Sequence, residues 1–316
     1  MTDEATVAAS VANIEAVSTR DKPLLTAALG AMCIASSGVL VRLAATTPVT
    51  VAFYRCLFAL PVLGLIAYIE RRRFGALPLR SRQLAWVAGA FFALDLIFWH
   101  HTIAAVGAGL ATVLGNLQVL IVGFAAWALL KEKPHKTLFA AVPIVLIGVV
   151  LISGAVGADV YGTDPAKGVI LGIATSIAYA AFILVLRQGS GDLRRAAGPL
   201  FHATLASAIA AMLYGMVTQE LVWGPGWSSV GWLAVLAMTS QVAGWLLISR
   251  SLPRLPAAIT SVVLLLQPVG SMALAAVVLG EHPGRTQLGG ALLILAGVII
   301  STSGHQMSKV RPVPAG

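Results

Sequence analysis

The chain has 316 residues, of which 58% are hydrophobic and only 10% are charged, and its net charge is +9 at neutral pH. Soluble globular domains carry about 25% charged residues, so this composition excludes an ordinary soluble fold. The two cysteines, Cys33 and Cys56, both lie in apolar runs and indicate neither a disulfide framework nor a metal site.

The segment before the first apolar run, residues 1–23, is polar and includes Asp3, Glu15 and Arg20. It lacks the short apolar core and the small-residue cleavage site of a secretory signal peptide. We therefore expect this segment to be a cytoplasmic tail, and we expect the first apolar helix to remain in the mature chain.

Apolar runs of about twenty residues follow one another from Leu24 to Ser303, separated by short polar or Gly/Pro breaks. The hydrocarbon core of a bilayer is about 30 Å thick, and about 20 apolar helical residues cross it. Continuous apolarity lacks the alternation of a lipid-facing β-strand, so the runs predict helices. The runs are Leu24–Ala45, Val49–Tyr68, Leu84–Ile103, Gly109–Leu130, Thr137–Ala155, Gly168–Leu186, Pro199–Val217, Trp227–Ser249, Ala257–Leu279 and Gln287–Ser303. The sequence thus predicts an all-α polytopic membrane protein with ten transmembrane helices.

Lysine and arginine are distributed unevenly over the segments that join these spans. With the N-terminus placed in the cytoplasm, 17 of the 21 basic residues fall on the cytoplasmic side. Lys167 and Arg285 fall outside, and Arg42 and Arg55 fall within spans. This asymmetry follows the positive-inside rule and predicts a plasma (inner) membrane protein with both termini cytoplasmic. The positive charge then meets the anionic headgroups of the lipid bilayer, and no nucleic acid is needed to explain it.

The second half of the chain repeats the first. A shift of 149 residues aligns residues 106–153 with 255–302, and 12 of these 48 positions are identical. The identities include a Glu-x-Pro-x-x-Thr turn that begins at Glu132 in one copy and at Glu281 in the other. Because each half has five spans, an odd number, the second copy is expected to enter the membrane upside down. We therefore predict two inverted five-helix repeats, residues 24–155 and 165–303, between tails 1–23 and 304–316.

The order and duplication of these elements resemble the drug/metabolite transporter superfamily, and in particular its bacterial EamA-type members. The segments that carry the resemblance are Leu130–Thr137 with Gly148, Leu279–Thr286 with Gly297, Arg55, and Gln267–Pro268. The first half departs from the pattern, because Asn116, Gln118 and Val119 stand where a proline is often expected. The resemblance implies an inner-membrane secondary transporter that exports small metabolites or toxic compounds.

Arg55 and Asp95 are the first candidates for transport chemistry. An ionisable side chain in the bilayer core costs at least about 2.5–3.5 kcal/mol, so it needs a partner or an aqueous cavity. Both residues lie at similar distances from the external ends of adjacent spans, which suggests an Arg55–Asp95 pair. Such a pair would either fix the helix packing or serve as a gate or a substrate counter-ion.

Polar and aromatic residues in other spans extend this candidate site. Trp99 follows Asp95 at helical spacing, where it could line a cavity or anchor the helix at the interface. Gln118 and Gln267 occupy equivalent repeat positions, and Gln241 and Trp245 form a stripe that packing alone would also explain. The predicted substrate-binding or gating residues are Arg55, Asp95, Trp99, Asn116, Gln118, Tyr179, Gln241, Trp245 and Gln267. Proton coupling through Asp95, His100 and His101 is a further hypothesis, with interfacial packing as the alternative for the two histidines.

Several signatures are absent from the sequence. It contains no P-loop, no HExxH motif and no Cys/His cluster at metal spacing, so it predicts no ATP-driven pump, no cofactor and no metal. The expected partner is a small-molecule solute, such as an amino acid or a related amine, and a homodimer is compatible with the sequence. Two alternatives are an intramembrane enzyme acting on lipid-linked substrates and a non-transporting membrane receptor or assembly protein.

Overall fold

A computed structural model describes residues 23–130, 136–153, 156, 161–189, 194–251 and 266–307. Over these residues the secondary structure is helical, with no β-strand. The helices are α1 Pro23–Ala35, α2 Ser37–Leu43, α3 Pro48–Phe74, α4 Leu79–Val106, α5 Ala108–Gly115, α6 Gln118–Leu130, α7 Lys136–Ile152, α8 Pro165–Gly189, α9 Ala197–Thr218, α10 Trp227–Leu236, a π-helical segment Ala237–Gly244, α11 Trp245–Ser251, α12 Leu266–Leu279 and α13 Arg285–Met307. Glu132 and most of both predicted tails lie outside the described residues.

Within the described residues, seven helical stretches are long and apolar enough to cross a membrane. They are Leu25–Leu43, Pro48–Phe74, Leu79–Val106, Ala108–Ala125, Pro165–Leu186, Ala197–Thr218 and Trp227–Ile248. Three further apolar helices are shorter, namely Lys136–Ile152, Leu266–Leu279 and Arg285–Ser301. The predicted ninth span, Ala257–Leu279, begins outside the described residues. The all-helical, multi-pass architecture is confirmed, whereas the number of ten crossings stays a prediction.

Helices from the two predicted halves pack mainly against each other. α3 packs on α9, α4 on α8, α5 on α12, and α7 on α13, while α1 packs on the π-helical segment and on α11. Each of these contacts joins a helix before residue 155 to one after residue 165. Buried apolar side chains from both halves also share one hydrophobic cluster. The halves therefore interlock rather than fold as separate bodies.

The α7–α13 contact depends on glycines at equivalent repeat positions. A Cβ atom at Gly148 would lie 2.6 Å from the carbonyl oxygen of Gly290, and one at Gly297 would lie 2.4 Å from Val145 Cγ2. Small residues allow helix backbones to approach closely inside a membrane, where no hydrophobic effect drives the helices together. The repeated glycine of each half therefore has a packing role.

Three spans are interrupted within their length. The first is divided at Ser36 between α1 and α2, and the fourth is divided at Asn116 and Leu117 between α5 and α6. The eighth contains the π-helical segment Ala237–Gly244. The break between α5 and α6 contains no proline. It is stabilised by i→i+3 hydrogen bonds, such as the one from Leu117 N–H to Leu114 O at 3.0 Å. Discontinuous helices are typical of substrate sites in transporters, and π-helical turns often occur at functional sites.

Two buried carboxylates bind the N-termini of helices from the opposite half. Glu281 accepts hydrogen bonds from Ala108 N–H at 2.8 Å and from Gly109 N–H at 3.2 Å, at the start of α5. Glu70 accepts from Ala197 N–H at 3.0 Å and from Gly198 N–H at 2.9 Å, at the start of α9. The first N–H groups of a helix lack partners and carry partial positive charge, so each carboxylate is well matched to its site.

Candidate functional site

A cavity lies among the three interrupted spans, with α3, α4, α8 and α12 completing its wall. Its empty volume, including the opening, is about 580 Å³. Its lining residues are Ile34, Ser37, Arg55, Phe92, Asp95, Leu96, Trp99, Thr112, Gly115, Asn116, Gln118, Thr175, Tyr179, Trp245 and Gln267. Both halves of the chain contribute to this wall, so the cavity lies at the interface between the repeats.

Arg55 brings a cationic group into the cavity wall from α3. Its side chain is 3% exposed, and Nη2 donates a hydrogen bond to Ser240 Oγ, which lies on the π-helical segment, at 3.2 Å. The buried Nε has no hydrogen-bond partner among the described residues. A guanidinium group has five N–H donors and presents them in a planar fork that matches a carboxylate. Arg55 therefore retains donor capacity for a bound anion.

Asp95 brings a carboxylate into the same wall from α4. It is 7% exposed, and its described neighbours include no cation within ion-pair distance. The Arg55–Asp95 pair expected from the sequence is therefore not formed as a direct ion pair, although both residues line one cavity. The physical reason is the bond to Ser240, which holds the Arg55 guanidinium toward the π-helical segment. The cavity thus contains two opposite charges that do not neutralise each other by contact.

Aromatic rings form one side of the cavity around Trp245. Phe92 and Phe182 stack with ring centroids 4.5 Å apart, and Trp245 meets Phe182 edge-on at 5.4 Å. Tyr179 lies 6.1 Å from Trp245, and Trp99 completes the aromatic lining from α4. This surface suits an apolar or aromatic group of a solute, and its ring faces also attract cations.

Amide side chains complete the polar part of the lining. Asn116 Nδ2 donates to Thr112 O at 2.8 Å, in the break between α5 and α6. Gln118 follows this break, and its buried Oε1 has no hydrogen-bond partner within the part of the chain that the structure describes. Its repeat equivalent, Gln267, lines the same cavity from α12. A buried acceptor without a partner is costly, so Gln118 is well placed to accept from a bound solute.

The family match decides the class of this protein. The EamA-like transporter family model matches the chain twice, over residues 21–154 and 166–303. The chain belongs to this family. The resemblance to EamA-type members of the drug/metabolite transporter superfamily is thereby confirmed, and the chain is a membrane transporter of that type.

Two further comparisons were made for this EamA-family chain. One solved structure, described only as a crystal structure of a protein, is 16% identical to this EamA-family chain with a TM-score of 0.59. The alignment covers 91% of this chain and 99% of the other. This likeness shows the shared fold alone. No protein of curated function matches the chain.

Three of the residues predicted for the site of this EamA-family chain lie outside the lining. Gln241 is fully buried, and its Nε2 donates to Thr204 Oγ1 at 3.1 Å, which bridges two helices. The expected stripe assumed α-helical periodicity, whereas the π-helical segment changes the direction of successive side chains. His100 Nδ1 lies 3.1 Å from Pro48 O, and His101 Nε2 lies 3.5 Å from Glu220 Oε2. Neither histidine lines the cavity.

Sequence reasoning missed several lining residues of this EamA-family cavity. Phe92 precedes Asp95 and Trp99 at helical spacing, so the same helical face could have revealed it. Thr175 precedes Tyr179 by four residues and could have been found in the same way. Ser240, which fixes Arg55, gave no sequence signal, because its role depends on the π-helical segment. In the described ranges no cluster of three or more His, Cys, Asp or Glu side chains could hold a metal ion.

Proposed function

We propose that this EamA-family protein exports small metabolites, such as amino acids or related amines, or toxic compounds across the inner membrane by alternating access. The observation that carries the proposal is that Arg55 and Asp95 line one cavity without pairing with each other. Family membership fits a transporter rather than the intramembrane enzyme considered above.

The charges of the cavity support a solute that carries both an anionic and a cationic group. A solute carboxylate would accept from the free donors of Arg55, while a solute ammonium group would meet Asp95. The aromatic surface around Trp245 and Phe92 would hold the apolar remainder. Gln118 and Gln267 would complete the polar contacts from equivalent positions of the two halves.

Alternating access is supported by the duplication and by the position of the cavity between the halves. Two copies inserted in opposite directions would let one central site open to either side at similar energy. The three interrupted spans border the cavity, so they are natural places for the helices to bend. The predicted orientation, with both termini cytoplasmic, belongs to the same proposal.

Asp95 is also the proposed group for proton coupling. Among the described lining residues it is the only carboxylate, so proton uptake there would change the charge that the solute meets. If Asp95 carries the coupling proton, abolishing the proton gradient across vesicles should abolish uphill solute movement. Unchanged uphill flux without a gradient would contradict the coupling and leave the substrate proposal standing.

The substrate proposal is tested with three probes that share a phenyl ring and differ in whether they carry an ammonium group, a carboxylate or both. Proteoliposomes that contain the full chain would be assayed with phenylalanine, phenethylamine and 3-phenylpropionate. Wild-type protein should move the zwitterion fastest. In downhill flux measured without a proton gradient, Asp95→Asn should slow the zwitterion and the amine while leaving the acid little changed, because the lost charge faces the ammonium group.

Asp164→Asn is the matched control for this experiment. Asp164 is exposed, and its Oδ1 accepts from Lys167 N–H at the start of α8, outside the cavity. This variant should keep the wild-type order and rate. Equal rates for the three probes in the wild type, or equal losses in the two variants, would contradict the proposed substrate class.

A further inference from the structure

A second cavity lies at the opposite end of α3 from the turn at Thr47, where α3 meets the beginnings of α4 and α9. Its empty volume, including the opening, is about 860 Å³. Three arginines (Arg71, Arg82 and Arg195) and one carboxylate (Glu70) line it. Apolar side chains such as Phe201 line the part of the wall formed by the helices. The cavity therefore combines excess positive charge with an apolar surface.

The length of α3 places this cavity at the depth of lipid headgroups. The helix has 27 residues, which corresponds to about 40 Å at a rise of about 1.5 Å per residue. The hydrocarbon core is only about 30 Å thick. With the orientation that the sequence predicts, the last turns of α3, which carry Arg71, extend beyond the core on the side where the basic residues concentrate.

Two of the four charged side chains already form hydrogen bonds with backbone groups of the protein. Both carboxylate oxygens of Glu70 accept from the first N–H groups of α9. Arg195 donates to the carbonyl oxygen of Ala76 at 2.9 Å and to that of Phe74, at the end of α3. These bonds hold the wall of the cavity in place, so Glu70 does not neutralise the remaining arginines by contact.

Arg71 and Arg82 are the two cations left for a ligand. Within the described residues neither side chain forms a hydrogen bond or an ion pair. Arg72 differs, because its Nε donates to Tyr68 Oη at 2.8 Å and its guanidinium lies over the same ring. Two exposed guanidinium groups from different helices thus face one cavity and can bind the same anion.

We propose that this cavity binds the phosphate of an anionic phospholipid headgroup between Arg71 and Arg82. Guanidinium groups bind phosphate oxygens through charge-assisted, often bidentate hydrogen bonds. Basic pockets between membrane helices are suited to anionic lipid headgroups. A soluble phosphate ester shares this chemistry, but the apolar wall formed by Phe201 and Ala67 favours a ligand with acyl chains. This inference does not depend on the transported solute.

The test compares a double variant with a control that loses the same charge. Arg71→Gln with Arg82→Gln removes both cavity arginines, while Arg73→Gln with Arg80→Gln removes one exposed arginine from each of the same two helices outside the cavity lining. The full chain, purified in detergent, would be titrated with phosphatidylglycerol while its thermal unfolding midpoint is followed. Phosphatidylglycerol should raise the midpoint of the wild type and of the control. The double variant should need about 30-fold more lipid, since each of the two basic groups near a membrane contributes about fivefold.

Phosphatidylcholine and glycerol 3-phosphate distinguish the alternatives in the same assay. An equal response to phosphatidylcholine would overturn the proposal, because the net negative charge of the headgroup would then make no difference. An equal loss in the control would overturn it in favour of diffuse surface charge. Arginine-dependent stabilisation by glycerol 3-phosphate that matches the lipid would overturn the lipid assignment in favour of a soluble phosphate. Without lipid all variants should unfold at the wild-type midpoint, since neither arginine has a bond to lose.

Discussion

Glu281 and Asp95 are both buried carboxylates, yet their surroundings differ. Glu281 is 2% exposed, and each of its two oxygens accepts a backbone N–H group at the start of α5. Asp95 is 7% exposed and has no described cation within ion-pair distance. Glu70 follows the pattern of Glu281 at the start of α9. Both oxygens of each carboxylate that connects the two halves accept a backbone N–H group. The carboxylate in the cavity, Asp95, is available to bind a solute.

This difference separates structural from functional use of charge. A buried ion is tolerated for stability only when hydrogen bonds replace its lost hydration. The bonds of Glu281 and Glu70 meet that requirement within the fold. Arg55 and Asp95 meet this requirement only in part. Their remaining capacity for hydrogen bonds and charge pairing is therefore available to a solute in the cavity. Substitutions at the two kinds of site should therefore separate stability from transport.

The largest effect is expected for stability at Glu281. Glu281→Ala removes two charge-assisted hydrogen bonds and leaves Ala108 N–H and Gly109 N–H buried without acceptors. The free energy of unfolding in detergent should fall by about 3 kcal/mol or more. Glu281→Gln keeps one carbonyl acceptor and should lose about half as much. Unchanged stability in Glu281→Ala would remove the contrast with Asp95.

Gly107 explains why this contact is geometrically demanding. Its φ is 87°, a conformation that side chains disfavour, and a Cβ there would lie 2.7 Å from Glu281 Oε2. Only glycine lets the chain turn into α5 while the carboxylate remains at the helix terminus.

The next effect is expected for transport at Arg55. Arg55→Gln should lower the transport rate of a carboxylate-bearing solute about 100-fold, since a charge-assisted contact is lost. The free energy of unfolding should not fall, because a partly bonded buried charge is also removed. Arg42→Gln is the control, since Arg42 is exposed and absent from the lining. A stability loss in Arg55→Gln that matches Glu281→Ala would show that Arg55 is structural.

A smaller effect is expected at Ser240, which positions Arg55 through one hydrogen bond. Ser240→Ala should slow transport about fivefold to tenfold, because the guanidinium loses its only described partner. Thr239→Val removes the neighbouring hydroxyl, which bonds Val235 O instead, and should leave transport unchanged. In Ser240→Ala the apparent affinity for solute should change more than the free energy of unfolding. Equal transport rates in the two variants would contradict a positioning role for Ser240.

The smallest effect is expected at the contact between His101 and Glu220, which is an ion pair only when His101 is protonated. The two side chains are 27% and 37% exposed and lie 3.5 Å apart. Exposed ion pairs contribute between about 0 and 1 kcal/mol. Glu220→Gln should therefore change the free energy of unfolding by less than about 1 kcal/mol and leave transport near the wild-type rate. A large loss of proton-driven transport would instead support the predicted coupling role of His101.

Much of the candidate site could be predicted because intramembrane polarity is rare. Arg55, Asp95, Gln118 and Gln267 were conspicuous in apolar runs, and all four line the cavity. Gln241 was equally conspicuous, yet it bonds Thr204 between helices. Polarity alone does not distinguish a helix-bridging amide from a solute-facing one, because burying either amide has the same energetic cost.

The residue pattern alone was sufficient to establish the helical membrane class and the duplicated family, because bilayer thickness dictates the length of every span. Folding was needed to decide which partners each polar group meets. The π-helical segment turns Ser240 toward Arg55 and Gln241 away from the cavity, and the break at Asn116 forms without proline. Such local departures from α-helical geometry arise from contacts between distant helices, and periodicity along one helix carries no information about them.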